Sequence, residues 1–277
     1  MSIFRILTIL VLVGLILGGS AYFAYELFWK PQQLDRDDQA AKLVQPAPTP
    51  LPDSSRPAYE KAMGLQQSGD MEGARAALAE FLRGYPASPN APAAKSALGE
   101  INAGRVFSPA DSANKTAYAV TRGDSLVRIA AKFKTNAELI FRANNLETIN
   151  LKIGQSLLIP QLDTNLVVDR KAGTVTVFNQ GEFFKEYPAA SVKIPGGSGP
   201  IKTKVADKLA LQGTNRVPFG DKSYAGSERW LMLGTSGAVI RGLPAAEGPA
   251  PAGIILSRPD MEELFLLVSQ GTPVTIN

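Results

Sequence analysis

The side chains that most often carry enzymatic chemistry are only partly represented in this sequence. Its 277 residues include no cysteine and no histidine. This absence excludes disulfides, thiolate zinc sites, haem attachment, cysteine nucleophiles and histidine general bases. We therefore predict no metal site and no cofactor.

A serine activated by a lysine is the remaining arrangement for nucleophilic catalysis, since a desolvated lysine can lose its proton. Ser236 and Ser257 are the candidates, but neither lies in a recognisable nucleophile motif. Most serines are helix caps or surface residues, and Ser257 stands three residues before Asp260, as a cap would. The acidic pair Glu262 and Glu263 follows on the same predicted helix, where a solvated face is the default interpretation. We predict no catalytic residue.

The chain begins with an apolar segment. The twenty residues from Ile6 to Tyr25 carry no charge, and a helix of that length is about 30 Å long, which matches a bilayer core. Aromatic residues gather at its end, where an interfacial belt belongs: Tyr22, Phe23, Tyr25, Phe28 and Trp29. We predict a transmembrane anchor over residues 1–29, with residues 6–25 in the membrane. A cleaved signal peptide is the alternative, although its apolar core is usually shorter, roughly 7–15 residues.

Two further segments separate the anchor from the rest of the chain. Residues 30–57 contain PAPTPLPDSSRP, and such a proline-rich composition favours an extended linker. Residues 58–104 have helical patterning, and LQQSGDMEGARAALAEFLRGYPASPNAPAA resembles one tetratricopeptide repeat. Because roughly three repeats are needed for a stable array, we predict a packing spacer, with a peptide-binding groove as the alternative.

A βααβ pattern occupies residues 117–161. Asp124 or Ser125 is placed to cap a first helix, and Thr135 and Glu138 have the capping-box spacing for a second. The apolar residues of the first helix recur at helical spacing: Leu126, Ile129, Ala130 and Phe133. Short strands precede and follow the helices: Tyr118–Thr121 and Ser156–Pro160. They can pair antiparallel.

The order of residues in this module closely resembles the LysM family. The matching motifs are Tyr118-x-Val120-x-x-Gly123-Asp124-Ser125-Leu126, Ile129-Ala130, Asn144-Asn145-Leu146 and Ile153-Gly154-Gln155-Ser156-Leu157-x-Ile159-Pro160. The resemblance implies a small fold that binds glycans containing N-acetylglucosamine, in bacteria usually peptidoglycan.

The resemblance also places a glycan groove between the loop before the first helix and the loop after the second. The residues that it assigns to this groove are Gly123, Asp124, Ser125, Leu126, Asn145, Leu146 and Ile149. Backbone groups and an Asp or Asn side chain can hydrogen-bond an acetamido group, while Leu and Ile pack on its methyl and the sugar ring. The alternative is structural: Gly123 and Asp124 form a turn and cap, and Leu126 belongs to the core.

From residue 165 the pattern changes to strands separated by glycine-containing turns. The predicted strands are Leu166–Asp169, Thr174–Phe178, Glu182–Tyr187, Trp230–Thr235 and Pro273–Ile276. A helix is predicted over Asp260–Val268, with Ser257 near its start and Gly271 after its end.

Residues 165–277 resemble the L,D-transpeptidase catalytic domain, a mostly β fold that cross-links or edits peptidoglycan peptides. The similarity rests on LVVDRKAGTVTVFNQGEFFKEYP, on VPFGDKSYAGSERWLMLGT and on the ending from Glu262 to Ile276. That family's reaction needs a cysteine thiolate and two histidines. Where the family has His-Gly-Thr, this chain has Leu233-Gly234-Thr235, and where it has Ser-His-Gly-Cys-Ile-Arg, this chain has Pro251-Ala252-Gly253 followed by Ile254. The resemblance thus implies that Leu233, Ala252 and Ile254 occupy degenerate catalytic positions. Depending on where one gap is placed when the chain is aligned with the family motif, Ile254 replaces the cysteine or the cysteine is deleted.

These observations predict an α+β multi-domain protein: an N-terminal transmembrane helix, a short helical segment, a LysM module and a mostly-β L,D-transpeptidase-like domain. We expect a single-pass protein of the bacterial cytoplasmic membrane with its C-terminal domains outside the cytoplasm. Its expected partner is peptidoglycan, with a cell-wall enzyme as a further candidate. The net charge of +4 is spread without a Lys/Arg block, so no nucleic-acid partner is indicated.

The expected function is non-catalytic attachment to peptidoglycan, with the transpeptidase-like domain binding a peptide or a partner. An atypical L,D-transpeptidase or peptidoglycan hydrolase with a non-cysteine nucleophile is the alternative. An interaction scaffold that works through the helical segment is a third possibility.

Overall fold

The computed structural model describes residues 3–30, 53–194, 199–234, 238–244 and 252–277. The chain divides into two compact units, Met1–Pro52 and Asp53–Asn277.

In the described part of the first unit, residues 3–30, the chain forms one long helix. Helix α1 spans Ile3–Ala24 and continues as a π-helical stretch over Tyr25–Trp29. Within it, Leu7–Phe28 is long and apolar enough to cross a membrane, but a signal sequence near an N-terminus has the same features. Most of the predicted proline-rich linker lies outside the described residues.

The second unit opens with three helices: α2 (Arg56–Gln67), α3 (Met71–Gly84) and α4 (Ala91–Phe107). Asp70 caps α3 by accepting a hydrogen bond from the Gly73 N–H at 2.9 Å. Small residues and a few large ones form the shared core of the three helices: Ala62, Ala74, Leu78, Phe81, Ala94, Leu98 and Ile101. Helix α4 runs three residues past the predicted end of this segment.

The βααβ prediction is confirmed. Strand β1 (Lys115–Ala119) is followed by α5 (Leu126–Phe133), α6 (Ala137–Ala143) and β2 (Ser156–Pro160). The two strands pair antiparallel, with Tyr118 opposite Leu157. Ser125 caps α5 by accepting from the Arg128 N–H.

The capping-box prediction for α6 is wrong. Asn136, not Thr135, is the cap, because its side chain accepts a hydrogen bond from the Glu138 N–H at 2.9 Å. The Glu138 side chain does not return to the start of the helix. It is buried against the C-terminal domain instead.

After residue 163, the part of the chain that the structure describes contains a nine-stranded sheet in the order β11-β3-β4-β5-β10-β9-β8-β6-β7. Its strands are β3 (Thr164–Asp169), β4 (Thr174–Asn179), β5 (Glu182–Lys193), β6 (Ile201–Gln212), β7 (Asn215–Arg216), β8 (Glu228–Leu233), β9 (Val239–Gly242), β10 (Gly253–Leu256) and β11 (Pro273–Ile276). Because β11 pairs with both β3 and β6, the sheet closes into a barrel.

Helix α7 (Arg258–Leu267) seals the core of this barrel. Its residues Met261, Leu264 and Phe265 join the alternate, inward-facing residues of the strands, such as Leu166 and Ile254. Burial of this apolar surface is the main stabilising contribution to the domain.

The helical segment packs directly on strand β5. The side-chain amide of Asn102 donates to the backbone carbonyl of Phe184 at 2.9 Å, and Lys95 forms an ion pair with Glu186 at 3.0 Å. At Gly99 a Cβ atom would lie 2.8 Å from Cγ of Lys185, so only glycine permits this close approach. This contact fits the predicted packing role of the helices.

Candidate functional site

The first loop of the predicted groove is held by its own aspartate. One carboxylate oxygen of Asp124, Oδ2, accepts hydrogen bonds from the Thr121 N–H, the Thr121 hydroxyl and the Tyr118 hydroxyl, each at 2.8 Å. These bonds, with the Thr121 N–H as the largest cause, hold the pKa of Asp124 below its usual range. The other oxygen, Oδ1, has no partner among the described residues. Asp124 therefore stabilises the turn through Oδ2 alone.

The second loop is held by the end of helix α6. The Asn144 side chain accepts from the Leu158 N–H at 2.7 Å and donates to the Leu158 carbonyl at 2.8 Å, so it ties α6 to β2. Asn145 follows in left-handed backbone geometry (φ +48°), as expected for this residue type, and its side chain is exposed.

The structure distributes the seven predicted groove residues between surface and core. Gly123, Ser125, Asn145 and Ile149 are exposed, whereas Asp124 and Leu146 are half-buried. Leu126 is only 3% exposed and belongs to the core of the module. The side chain of Leu126 is therefore a core residue of the module, as the structural alternative in the sequence analysis stated.

A loop of the C-terminal domain reaches the second groove loop. Gly220 has φ +98°, and a Cβ there would lie 2.9 Å from Cδ1 of Ile149. The neighbouring Phe219 packs edge-on against Phe141 of α6, with ring centroids 5.7 Å apart, and against Tyr224 at 5.4 Å. These contacts place the C-terminal domain directly beside the predicted groove.

A buried polar cluster joins the same two parts of the molecule. Glu138 of α6 is 4% exposed and accepts a 2.6 Å hydrogen bond from the Tyr224 hydroxyl. Arg229 on β8 is 3% exposed and lies 3.8 Å from Glu138 and 3.4 Å from Glu262. Arg142 adds a 3.2 Å ion pair to Glu138 from the next turn of α6. A buried carboxylate is compensated in this way by a phenol and two guanidinium groups.

Sequence reasoning missed this cluster. The sequence spacing predicts a capping-box role for Glu138. No local pattern distinguishes a carboxylate that caps a helix from one that pairs with a residue 86 positions later. The one available signal was that Glu138 adjoins the buried face of the helix.

The three positions that the family resemblance predicts to be degenerate catalytic ones lie in or beside the barrel. Leu233, where a histidine is expected, and Ile254 are part of the apolar core, and Ile254 is fully buried. Ala252 is exposed. Thr235, Ser236 and Pro251 lie outside the described residues.

The residue between Ala252 and Ile254 leaves no room for a side chain. Gly253 has φ +116°, a backbone conformation that residues other than glycine rarely adopt. A Cβ there would also lie 2.8 Å from the carbonyl oxygen of Val239 and 2.8 Å from its Cγ1. This point of strand β10 could not accept a cysteine without a shift of the backbone.

Ser257 caps helix α7, as its spacing predicts. Its Oγ accepts from the Asp260 N–H at 3.2 Å and donates to the Asp260 carboxylate at 2.7 Å. Both hydrogen bonds of this hydroxyl are thus made with Asp260 at the start of the helix. No lysine contacts the hydroxyl in the part of the chain that the structure describes.

Comparison with known proteins agrees with both modules. The profile of the LysM domain family matches residues 118–160. A Bacillus subtilis protein named as the L,D-transpeptidase YkuD is 31% identical over 170 residues, which cover 58% of this chain and 98% of that protein. The protein of the same name in Bacillus licheniformis is 29% identical over 170 residues, covering 57% of this chain and 97% of its own length.

A solved L,D-transpeptidase from Mycobacterium smegmatis is similar with 18% sequence identity and a TM-score of 0.31. The similarity covers 46% of this chain and 64% of that structure, less than two thirds of its length.

A LysM domain together with a domain that is similar in sequence to L,D-transpeptidases indicates a function related to the cell wall. The chain belongs to the YkuD-like L,D-transpeptidase family. LysM domains bind glycans of the peptidoglycan and chitin type.

Proposed function

We propose that this protein is a membrane-anchored peptidoglycan-binding protein whose LysM domain holds the glycan and whose transpeptidase-like domain does not catalyse. The observation that carries the proposal is the complete LysM domain at residues 118–160, which keeps exposed polar and apolar groups on both loops of the groove. Asp124 Oδ1 and the Asn145 amide supply hydrogen-bonding groups, and Ile149 supplies an apolar contact. The glycan is a neutral sugar polymer, so a site of this chemistry suits it.

The loss of catalysis is supported by residue chemistry. An acyl transfer by thiolate attack needs a nucleophile and a base, and the whole chain contains neither cysteine nor histidine. Gly253 and Ile254 add a steric argument, since one cannot carry a side chain and the other is sealed in the core. In this proposal the transpeptidase-like domain binds a peptide or a partner enzyme without catalysing a reaction.

Membrane attachment is supported by the apolar helix at the N-terminus. Its span Leu7–Phe28 has the length of a bilayer core, and Tyr22, Tyr25 and Phe28 are exposed near its end. In this proposal the helix stays attached and holds the LysM domain outside the cytoplasm, close to the cell wall.

One experiment tests both halves of the proposal. The full chain in detergent is incubated with purified sacculi, the pellet is assayed for bound protein, and the muropeptides of the same sample are analysed. We expect bound protein together with an unchanged muropeptide profile. Failure to sediment would refute glycan binding, whereas new cross-links or shortened peptides would establish an enzyme.

A further inference from the structure

A polar cavity of about 80 Å³ lies where the helical segment meets the LysM domain and the barrel. Three of its lining residues are cations from three different elements: Arg75 on α3, Arg105 on α4 and Lys115 on β1. The volume is enough for a small ion with a few water molecules. It is far below the range of about 300–1,000 Å³ that is typical of pockets for larger organic ligands.

The guanidinium of Arg75 is held at one end by a buried amide. Asn102 is 6% exposed, and its side-chain oxygen accepts a hydrogen bond from Nε of Arg75 at 2.9 Å while its amide nitrogen donates to the Phe184 carbonyl. The terminal nitrogens of Arg75 hydrogen-bond no other described residue, and Glu72 lies 3.6 Å from Nη1. Arg75 therefore has a fixed orientation and keeps its terminal N–H donors for a ligand.

Lys115 is the second cation that lacks a charged partner. Its Nζ donates to the Ser108 carbonyl at 2.5 Å, and no carboxylate of the described residues lies within 4 Å of it. Burial lowers the pKa of Lys115; Asp111 acts in the opposite sense, and the positive charge of Arg105 lowers this pKa further. The ammonium would therefore be stabilised by an anion in the cavity.

Structural ion pairs account for Arg105 but not for the other two cations. Arg105 pairs with Glu72 at 2.5 Å and with Asp111 at 2.7 Å, which ties α4 to α3 and to the turn after α4. Glu72 is 66% exposed, so water screens its charge. The carboxylate in the cavity lining, that of Glu182, belongs to an exposed residue. The lining thus combines three cations with one solvated anion.

The donors around the cavity fit a tetrahedral oxyanion. A phosphoryl group presents at least three oxygens in different directions, so that cations on separate elements can each donate a charge-assisted hydrogen bond to it. The side-chain amides of Asn114, Asn179 and Gln180 also line the cavity and add neutral donors. A carboxylate, whose two oxygens lie in one plane, can use fewer of these groups at once.

We propose that this cavity binds a phosphoryl group, either as free inorganic phosphate or as a phosphate ester, through Arg75, Arg105 and Lys115. The bound group bridges the helical segment and the first strand of the LysM domain, because these residues lie on α3, α4 and β1. None of the three belongs to the predicted glycan groove, so this inference is independent of glycan binding.

Titration calorimetry on the full chain in detergent, at pH 7 and constant ionic strength set by chloride, tests the site. We expect saturable binding of inorganic phosphate, with acetate at least about tenfold weaker because it engages fewer donors. Methyl phosphate distinguishes the two sources of the group. Binding as tight as that of inorganic phosphate assigns the site to a phosphate ester, whereas binding of inorganic phosphate alone assigns it to the free ion.

Charge variants of the lining should shift the affinity in both directions. Arg75→Gln and Lys115→Gln should each weaken phosphate binding about tenfold, the loss expected for one charge-assisted hydrogen bond. Glu182→Gln should strengthen it about twofold, since it removes an exposed like charge. Lys61→Gln and Glu147→Gln, at exposed residues outside the lining, are the matched controls and should leave the affinity unchanged.

A second variant of Lys115 guards against a loss of folding. Lys115→Arg keeps the positive charge and should retain phosphate binding that Lys115→Gln loses, which a merely structural role of the side chain would not produce. Should Arg75→Gln fail to fold, this pair at position 115 carries the test.

Three outcomes overturn the inference. Absence of saturable phosphate binding below about 10 mM shows that the cavity is not an anion site. An affinity that is unchanged in both Arg75→Gln and Lys115→Gln places the phosphate elsewhere. Acetate binding as tight as that of phosphate shows a general attraction of anions. Each of these results leaves the sedimentation of the protein with sacculi, and hence the proposed function, untouched.

Discussion

The carboxylate of Glu138, in the second helix of the LysM domain, accepts a 2.6 Å hydrogen bond from the hydroxyl of Tyr224 in the transpeptidase-like domain. The guanidinium of Arg229 lies against the same phenol ring at 4.0 Å and interacts with the same carboxylate. Because Glu138 and Arg229 are almost completely buried, neither can exchange its partner for water. The two domains are therefore joined by charges as well as by apolar contact.

Glu138→Gln should destabilise the folded chain by about 3 kcal/mol, since it leaves the buried Arg229 without its full compensating charge. Chemical denaturation of the full chain in detergent measures the change. Glu147→Gln is the control, because Glu147 is exposed in the same domain and should change stability by less than about 0.5 kcal/mol. Equal effects of the two substitutions would contradict a buried charge cluster.

Tyr224→Phe isolates the hydrogen bond within the cluster. It removes one hydroxyl and leaves the ring against Arg229, so we expect a loss of about 1.5–3 kcal/mol, the range for hydrogen bonds to charged groups. In a double-mutant cycle with Glu138→Gln, the two effects should fall short of additivity. Strict additivity would show that the hydroxyl and the carboxylate do not interact in solution.

Lys208 provides a pH-dependent contribution to stability. Its ammonium donates to the backbone carbonyls of Phe265 and Val268 at the end of α7, and burial lowers the pKa of Lys208 to about 7 from 10.5. Between these two values the unfolded chain binds more protons than the folded chain, so stability rises with pH across this window.

The wild type should therefore gain about 3 kcal/mol relative to Lys208→Met when unfolding is measured at pH 9.5 rather than pH 6.5. Comparison with a variant at the same pH cancels the titration of other groups. Lys61→Met, at an exposed lysine, should show no such pH dependence. A flat difference between wild type and Lys208→Met would show that Lys208 keeps its ordinary pKa in the folded state.

Local patterns in the sequence predict the elements well. The spacing of Leu126, Ile129 and Phe133 predicts α5. The turns at Gly173 and Gly181 predict the hairpins formed by β3, β4 and β5. Ser257 predicts the start of α7. Each of these signals depends on residues a few positions apart, where backbone preference and burial on one face act together.

Contacts between distant segments could not be predicted in the same way. Two examples are the hydrogen bond between Glu138 and Tyr224 and the close approach of Gly99 to Lys185. Both depend on how helices and strands pack against one another after they have formed. No periodicity encodes such a pairing, since a charged residue on a helix is by default solvated. A further cavity, around Glu262, is lined by residues from three separate segments of the chain, so no single segment of the sequence predicts it.

Glycan binding should depend on the Asn145 side chain. Asn145→Gly removes the amide while preserving the left-handed backbone (φ +48°). Combined with Asp124→Asn, it should weaken sedimentation with sacculi by about tenfold, the value of one or two lost hydrogen bonds. Asn114→Gly is a matched control, because Asn114 has the same geometry (φ +57°) at the start of β1. Unchanged binding by the double variant would move the glycan site away from these loops.

Residues 1–29 should remain part of the mature protein. An alkaline phosphatase fused to the C-terminus should be active, because this reporter folds only after export, and the protein should sediment with membranes. Introducing two arginines at Gly14 and Leu15 should abolish membrane association, since a charge at the helix centre costs roughly 2.5–3.5 kcal/mol. A mature N-terminus near Ala24 would identify the helix as a cleaved signal.

The transpeptidase-like domain should neither release terminal D-alanine from muropeptides nor form new cross-links, and carbapenems should not acylate it. Loss of a nucleophile or a base alone lowers the rate on the order of a thousandfold or more, and this chain lacks both residue types. Mass spectrometry of the protein and chromatography of the muropeptides measure these outcomes, with an active L,D-transpeptidase as the positive control. Turnover abolished by Ser257→Ala or Ser236→Ala would instead establish a serine nucleophile.

Restoring a cysteine alone should fail for two separable reasons. Gly253→Cys forces a side chain into left-handed geometry and against the Val239 carbonyl, so it should destabilise the domain by about 2 kcal/mol or more. Ala252→Cys is the matched control: the position is exposed, the variant should fold normally, and its thiol should react with a maleimide yet form no acyl-enzyme. Carbapenem acylation of either variant would show that a base is present in this barrel and that only the nucleophile had been lost.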